Sequence, residues 1–130
     1  MKVAFATTDG TLVDEHFGRA GRFAIYEFTK DGFKLLGMRV FAEEGRDLTV
    51  ENTKGKGAPH DAAVNEKIEK LADCSVVYCT NIGGPSAARL VKKGAMPVKA
   101  AEGAVISELV EGLMATIRNS PPPWLRKLVA

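Results

Sequence analysis

Cysteine and histidine are both scarce in this chain: two of each in 130 residues. A closed structural zinc site needs four nitrogen or thiolate ligands at recognisable spacing, and no such set occurs. The cysteines, Cys74 and Cys79, flank the apolar run 75–78. On a strand, residues five apart point to opposite faces, about 16 Å apart. That spacing excludes a disulfide between them and a metal held by both, and it predicts a reduced, intracellular chain. An excess of one charge is also missing, since 18 Lys and Arg meet 16 Asp and Glu for a formal +2. So balanced a chain does not announce a nucleic-acid surface. The first apolar run, residues 3–6, stops at Thr7-Thr8-Asp9-Gly10, too short for a signal segment or a membrane span. A cytoplasmic protein with neither a nucleic-acid nor a membrane partner is expected.

Catalytic signatures are absent as well. No serine or cysteine sits in a nucleophile elbow, and no Walker or dinucleotide fingerprint occurs. The run 3–6 carries no carboxylate of the kind two-metal nuclease chemistry requires, and Asp9, Asp14 and Glu15 fall on loops without an acid–base partner. Binding without turnover is the expected activity. A small-molecule or nucleotide-metabolite enzyme at Gly83-Gly84 and a pure protein-interaction module are the alternatives. With 130 residues the chain suits one domain with its own core, needing no metal to fold.

What the chain does contain is concentrated in residues 14–23, Asp-Glu-His-Phe-Gly-Arg-Ala-Gly-Arg-Phe. One short polar passage holds an imidazole, two guanidinium groups and two glycines. Around it, residues 2–7 read as a buried strand ending in an Asp-Gly turn. Residues 23–28 and 33–41 read as two more strands joined at Lys30-Asp31-Gly32, a hairpin signal. Residues 42–57 are charged, glycine-bearing and poor in apolar side chains, a solvated loop long enough to serve as a lid. Pro59 can open a helix in which Val64, Ile68 and Leu71 form one stripe. Residues 75–80 are a fourth strand, 86–93 a helix stopped by Gly94, and 95–99 a fifth strand whose Pro97 belongs at an edge or a bulge. Residues 103–118 carry the clearest helical stripe, and Pro121-Pro122-Pro123 predicts a polyproline II tail that exposes Trp124 and Leu125. The sum is an α/β domain over residues 1–118, with a proline-rich tail over 119–130. Its sheet has five strands, the first three antiparallel and the last two parallel, flanked by three helices. If the first and fourth strands are parallel, the 14–23 loop and the 82–85 loop open at the same edge and share a cavity.

His16 is the leading ligand candidate, because neutral imidazole binds iron, zinc and copper. His60, at a helix start that favours the neutral ring, and Cys79, a soft thiolate near the end of its strand, rank behind it. Arg19 and Arg22 can hold an anion through charge-assisted hydrogen bonds. Gly83 and Gly84 can aim backbone N–H groups at it from a helix start. Under-ligated as it is, the site suits a preassembled cluster that brings its own bridging atoms.

Several motifs carry a likeness: Val3-Ala4-Phe5-Ala6, His16-Phe17-Gly18-Arg19-Ala20 with Phe23-Ala24-Ile25-Tyr26, Gly83-Gly84-Pro85, Gly94-Ala95-Met96-Pro97-Val98, and Pro121-Pro122-Pro123-Trp124-Leu125-Arg126. Through them the chain resembles the dinitrogenase iron–molybdenum cofactor-binding family over nearly its whole length, the last motif pointing to a narrower member. The resemblance implies a ribonuclease-H-like fold used as a carrier. Its cargo would be an iron–sulfur precursor of the nitrogenase iron–molybdenum cofactor, or the cofactor itself, passed between cofactor assembly proteins. The histidine matching His16 is the one implicated in cluster ligation; the resemblance does not extend to Cys79 or His60. A monomer or weak homodimer is expected.

Overall fold

The computed structural model describes residues 1–41 and 58–129, with side chains of the second segment from Val64 onward. The expected lid, residues 42–57, lies outside the described residues. Seven strands and four helices are described: β1 (Lys2–Ala6), β2 (Leu12–Val13), β3 (Arg22–Thr29), β4 (Gly32–Val40), α1 (Ala58–Lys70), β5 (Cys74–Cys79), α2 (Gly84–Lys92), β6 (Met96–Lys99), β7 (Ala104–Val105), α3 (Ile106–Asn119) and α4 (Pro123–Val129).

The main sheet runs β4-β3-β1-β5-β6. β1 is its axis, antiparallel to β3 and parallel to β5, and its Val3, Ala4, Phe5 and Ala6 are all fully buried, as both-face coverage demands. β6 pairs parallel to β5 and forms one edge, which accommodates the missing N–H of Pro97. On one face, Val64, Ile68 and Leu71 from α1 and its end and Leu90 from α2 pack on Ala4, Ala6, Phe23, Ile25 and Val77. On the other, Ile106, Val110, Met114 and Ile117 of α3 pack on Val3, Phe5, Ala24, Phe28 and Val76.

Several expectations need correction. Cys74 and Cys79 share one face and the same apolar cluster. Lys2 pairs with Cys74 but Val3 with Val76, so Ser75 is an extra residue that resets the alternation. Both thiols are nonetheless free. Residues 104–105 are not helical but a two-residue strand on Leu12–Val13, held by Gly103 N–H to the Val13 carbonyl (2.8 Å) and Ile106 N–H to the Thr11 carbonyl (2.9 Å). The β3–β4 turn is Lys30-Asp31, because Thr29 already pairs with Gly32.

The tail is the largest correction. A fourth helix starts at Pro123, whose missing N–H is harmless in a first turn, and the N–H groups of Leu125 and Arg126 donate to the Pro122 carbonyl at 3.0 and 2.9 Å. Trp124 stays exposed, but Leu125 and Val129 are buried against the α3 side of the sheet. Leu125→Ala is therefore expected to lower unfolding stability by about 2–4 kcal/mol, read as a fall in the urea midpoint. An exposed tail would give no change.

A polar clasp ties the β4 edge to the α1–β5 turn. The Arg39 guanidinium donates to both oxygens of Asp73 at 2.8 Å and to the Lys70 carbonyl at 2.8 Å, with Lys2 Nζ 3.4 Å from the same carboxylate. The Arg39 hydrogen bonds hold the Asp73 carboxyl well below its ordinary 3.8. A depressed carboxylate stabilises the fold above its unfolded value and loses that contribution as pH falls through its native one. Both side chains are about a third or more exposed, so the clasp is worth a surface figure of about 1 kcal/mol. Asp73→Asn is expected to lose that amount at pH 7 and to flatten the decline of stability below about pH 4, in urea titrations across pH.

Candidate functional site

The passage 14–21 leaves β2 and crosses the carboxyl ends of β1 and β5. At its start Thr8 N–H and Oγ1 donate to the two Asp14 carboxylate oxygens at 2.9 and 2.7 Å, and Arg22 Nη1 donates to the Thr8 carbonyl at 3.0 Å. Asp14 and Arg22 thus fasten the loop to the end of β1. The passage is then zipped to the chain leaving β5: Thr80 N–H donates to the Glu15 carbonyl (3.0 Å) and Phe17 N–H to the Asn81 carbonyl (2.9 Å). The His16 carbonyl accepts from the N–H groups of Arg19 and Ala20 at 3.1 and 3.0 Å, closing a tight turn. Phe17 and Ala20 are buried anchors, with the Phe17 ring centroid 5.9 Å from that of Phe23. His16, Gly18 and Arg19 are left exposed.

Those three residues form one wall of a hollow of about 230 Å³, and Asn81, Ile82 and Gly83 form the other. Gly83 caps α2 without any side-chain hydrogen bond. Its φ is −71°, and a Cβ at Gly83 or Gly84 would meet open space, so the backbone does not demand glycine at either position. What the two glycines provide is an uncovered helix start, whose N–H groups and dipole favour an anion. Beneath the loop Lys67, buried on α1, donates to the Phe17 and Gly18 carbonyls at 3.0 and 2.9 Å. The Glu15 carboxyl is raised by burial and by Asp14, with Arg19, His16 and Lys67 opposing the shift.

The residues expected from sequence separate into two sets. His16, Arg19 and Gly83 converge on the hollow, and Gly84 opens α2 behind Gly83. Arg22 sits apart, on Thr8. Cys79 is fully buried in the core, where burial pushes its thiol up to about 11, far from the thiolate a metal requires. His60 lies in the first turn of α1, its side chain outside the described residues. Two residues of this region escaped sequence reasoning. Asn81 is the second residue after β5, and Lys67 stands in the buried stripe 64, 67, 68, 71, where a charge at a core position is itself a signal. Among the described residues no group of three or more His, Cys, Asp or Glu could hold an ion.

The sequence model of the dinitrogenase iron–molybdenum cofactor family matches residues 1–116. The chain belongs to that family. The match runs from β1 into α3 and includes both walls of the hollow. NifX of Azotobacter vinelandii is 36% identical over 129 residues, covering 99% of this chain and 75% of that protein. The FeMo cofactor biosynthesis protein NifB of Bradyrhizobium diazoefficiens is 32% identical over 96 residues, 74% of this chain but 17% of NifB. The family domain therefore also occurs inside a longer protein. The apo orange protein of Desulfovibrio gigas superposes with a TM-score of 0.58 at 17% identity, covering 89% of this chain and 88% of that one, a likeness of fold.

Proposed function

We propose that this chain is a non-catalytic carrier. It binds iron–sulfur precursors of the iron–molybdenum cofactor, or the cofactor itself, and transfers them during cofactor biosynthesis. One observation carries the reading: His16 and Arg19 face the open start of α2 across a single hollow. In the proposed site His16 ligates a metal of the cargo, while Arg19 and the N–H groups at Gly83 and Gly84 hold its anionic surface. Arg22 keeps the loop seated. A cargo held by one imidazole and a few charge-assisted contacts leaves readily, whereas a thiolate cage would retain it. Weak ligation is what handing on requires.

The partners in this reading are nitrogenase cofactor assembly proteins in the cytoplasm, with no nucleic acid and no membrane. No helix among the described residues is long and apolar enough to cross a membrane. The carrier acts as a monomer or weak homodimer, with residues 1–118 as the cargo-binding unit and 119–130 as an appended segment. Numbered within the main sheet, the strand order becomes 3-2-1-4-5 with an antiparallel second strand, which supports a ribonuclease-H-like assignment.

Anaerobic incubation with a purified iron–sulfur precursor, followed by gel filtration, tests the carrier reading. Iron is expected to elute with the protein and to pass to an acceptor on mixing. Iron that elutes only in the small-molecule volume contradicts it.

A further inference from the structure

We propose that Lys67 is the positioning residue of the cargo site, an inference that rests on the carrier reading above. Thr7 and Lys67 are the buried polar or charged residues among those described, and both serve the sheet edge where the hollow opens. Thr7 Oγ1 accepts from Gly10 N–H at 2.9 Å and from Asp9 N–H at 3.3 Å, fixing the turn after β1. Lys67 does the corresponding work for the wall that bears His16. Taking an ammonium out of water is costly unless it is met by acceptors, and here it is met by the carbonyls of Phe17 and Gly18. Its Nζ also lies 5.8 Å from the centre of the Phe17 ring, within cation–π reach.

Gly18 lines the hollow and His16 and Arg19 flank the clamped carbonyls, so the height of this wall is set from α1, about fifty residues further along the chain. Lys67 is not among the residues that line the hollow; it orients those that are.

Lys67→Met, which keeps most of the volume and removes the donor and the charge, is the test, read two ways. In the cargo-free protein the His16 ring resonances are expected to move. The amides of Phe17, Arg19 and Ala20 are expected to exchange hydrogen at least tenfold faster, with exchange elsewhere in the sheet unchanged. In anaerobic loading with the iron–sulfur precursor, iron retention is expected to weaken at least tenfold, with Lys67→Gln, which keeps an N–H donor, falling between. Should Lys67→Met fail to fold, Lys67→Gln is read against wild type in the same two measurements, with the same directions expected. Loop resonances and retention within twofold of wild type overturn the proposal, as do moved resonances with unchanged retention. Wild type that retains no iron, beside altered exchange in the variant, overturns the carrier reading and with it the cargo role of Lys67.

Discussion

His16→Ala is expected to reduce retention of an iron–sulfur precursor by at least about tenfold while leaving the thermal midpoint of the cargo-free protein essentially unchanged. The side chain is exposed, and the structural work at this position is done by its carbonyl, which accepts from Arg19 and Ala20 and survives in alanine. Loss of cargo with an intact fold would separate ligation from architecture. Anaerobic gel filtration with iron analysis, beside a thermal melt of the same sample, checks both halves. Equal retention by wild type and variant would remove the imidazole from the site.

One position along, the balance reverses. Phe17→Ala is expected to cost about 3–5 kcal/mol, a large share of the 5–15 kcal/mol typical of a whole domain. Phe17 is fully buried, tilted against Phe23 and with the Lys67 ammonium 5.8 Å from its ring centre. The cavity left behind would open under the loop, so cargo retention should fall as well. Urea unfolding monitored by circular dichroism reads the stability term as a lower midpoint with an unchanged slope. A loss below about 1 kcal/mol would mean that Phe17 does not anchor the loop.

Neighbouring residues with opposite duties explain what was legible in the sequence. Strong periodicity located α1 and α3, and Asp31-Gly32 and Pro97 marked a hairpin and an edge, because each signal is local. The shared cavity is conditional in the sequence on the first and fourth strands being parallel, and the β1–β5 pairing meets that condition, since loops leaving the carboxyl ends of adjacent parallel strands meet. The failures have non-local causes. The extra residue at Ser75 exists only in the pairing with β1, so the alternation of Cys74 and Cys79 could not be counted from the run itself. β2 and β7 are two residues each, too short to carry a period. In the tail, three prolines masked a helix whose first turn tolerates Pro123, and the burial of Leu125 depends on α3 and the sheet being already in place. Lys67 marks itself as unusual by its place in an apolar stripe, but its duty depends on carbonyls about fifty residues away, which no local pattern reveals.

The decisive contact for a carrier is that between the His16 nitrogen and the cargo. Pulsed electron paramagnetic resonance on the loaded, paramagnetic protein labelled with ¹⁵N histidine measures that contact directly. A ¹⁵N hyperfine coupling of directly ligated size is expected in wild type and in His60→Ala, and is expected to be lost in His16→Ala. A loaded wild-type sample with no histidine coupling, or with one that persists in His16→Ala, would contradict the carrier reading.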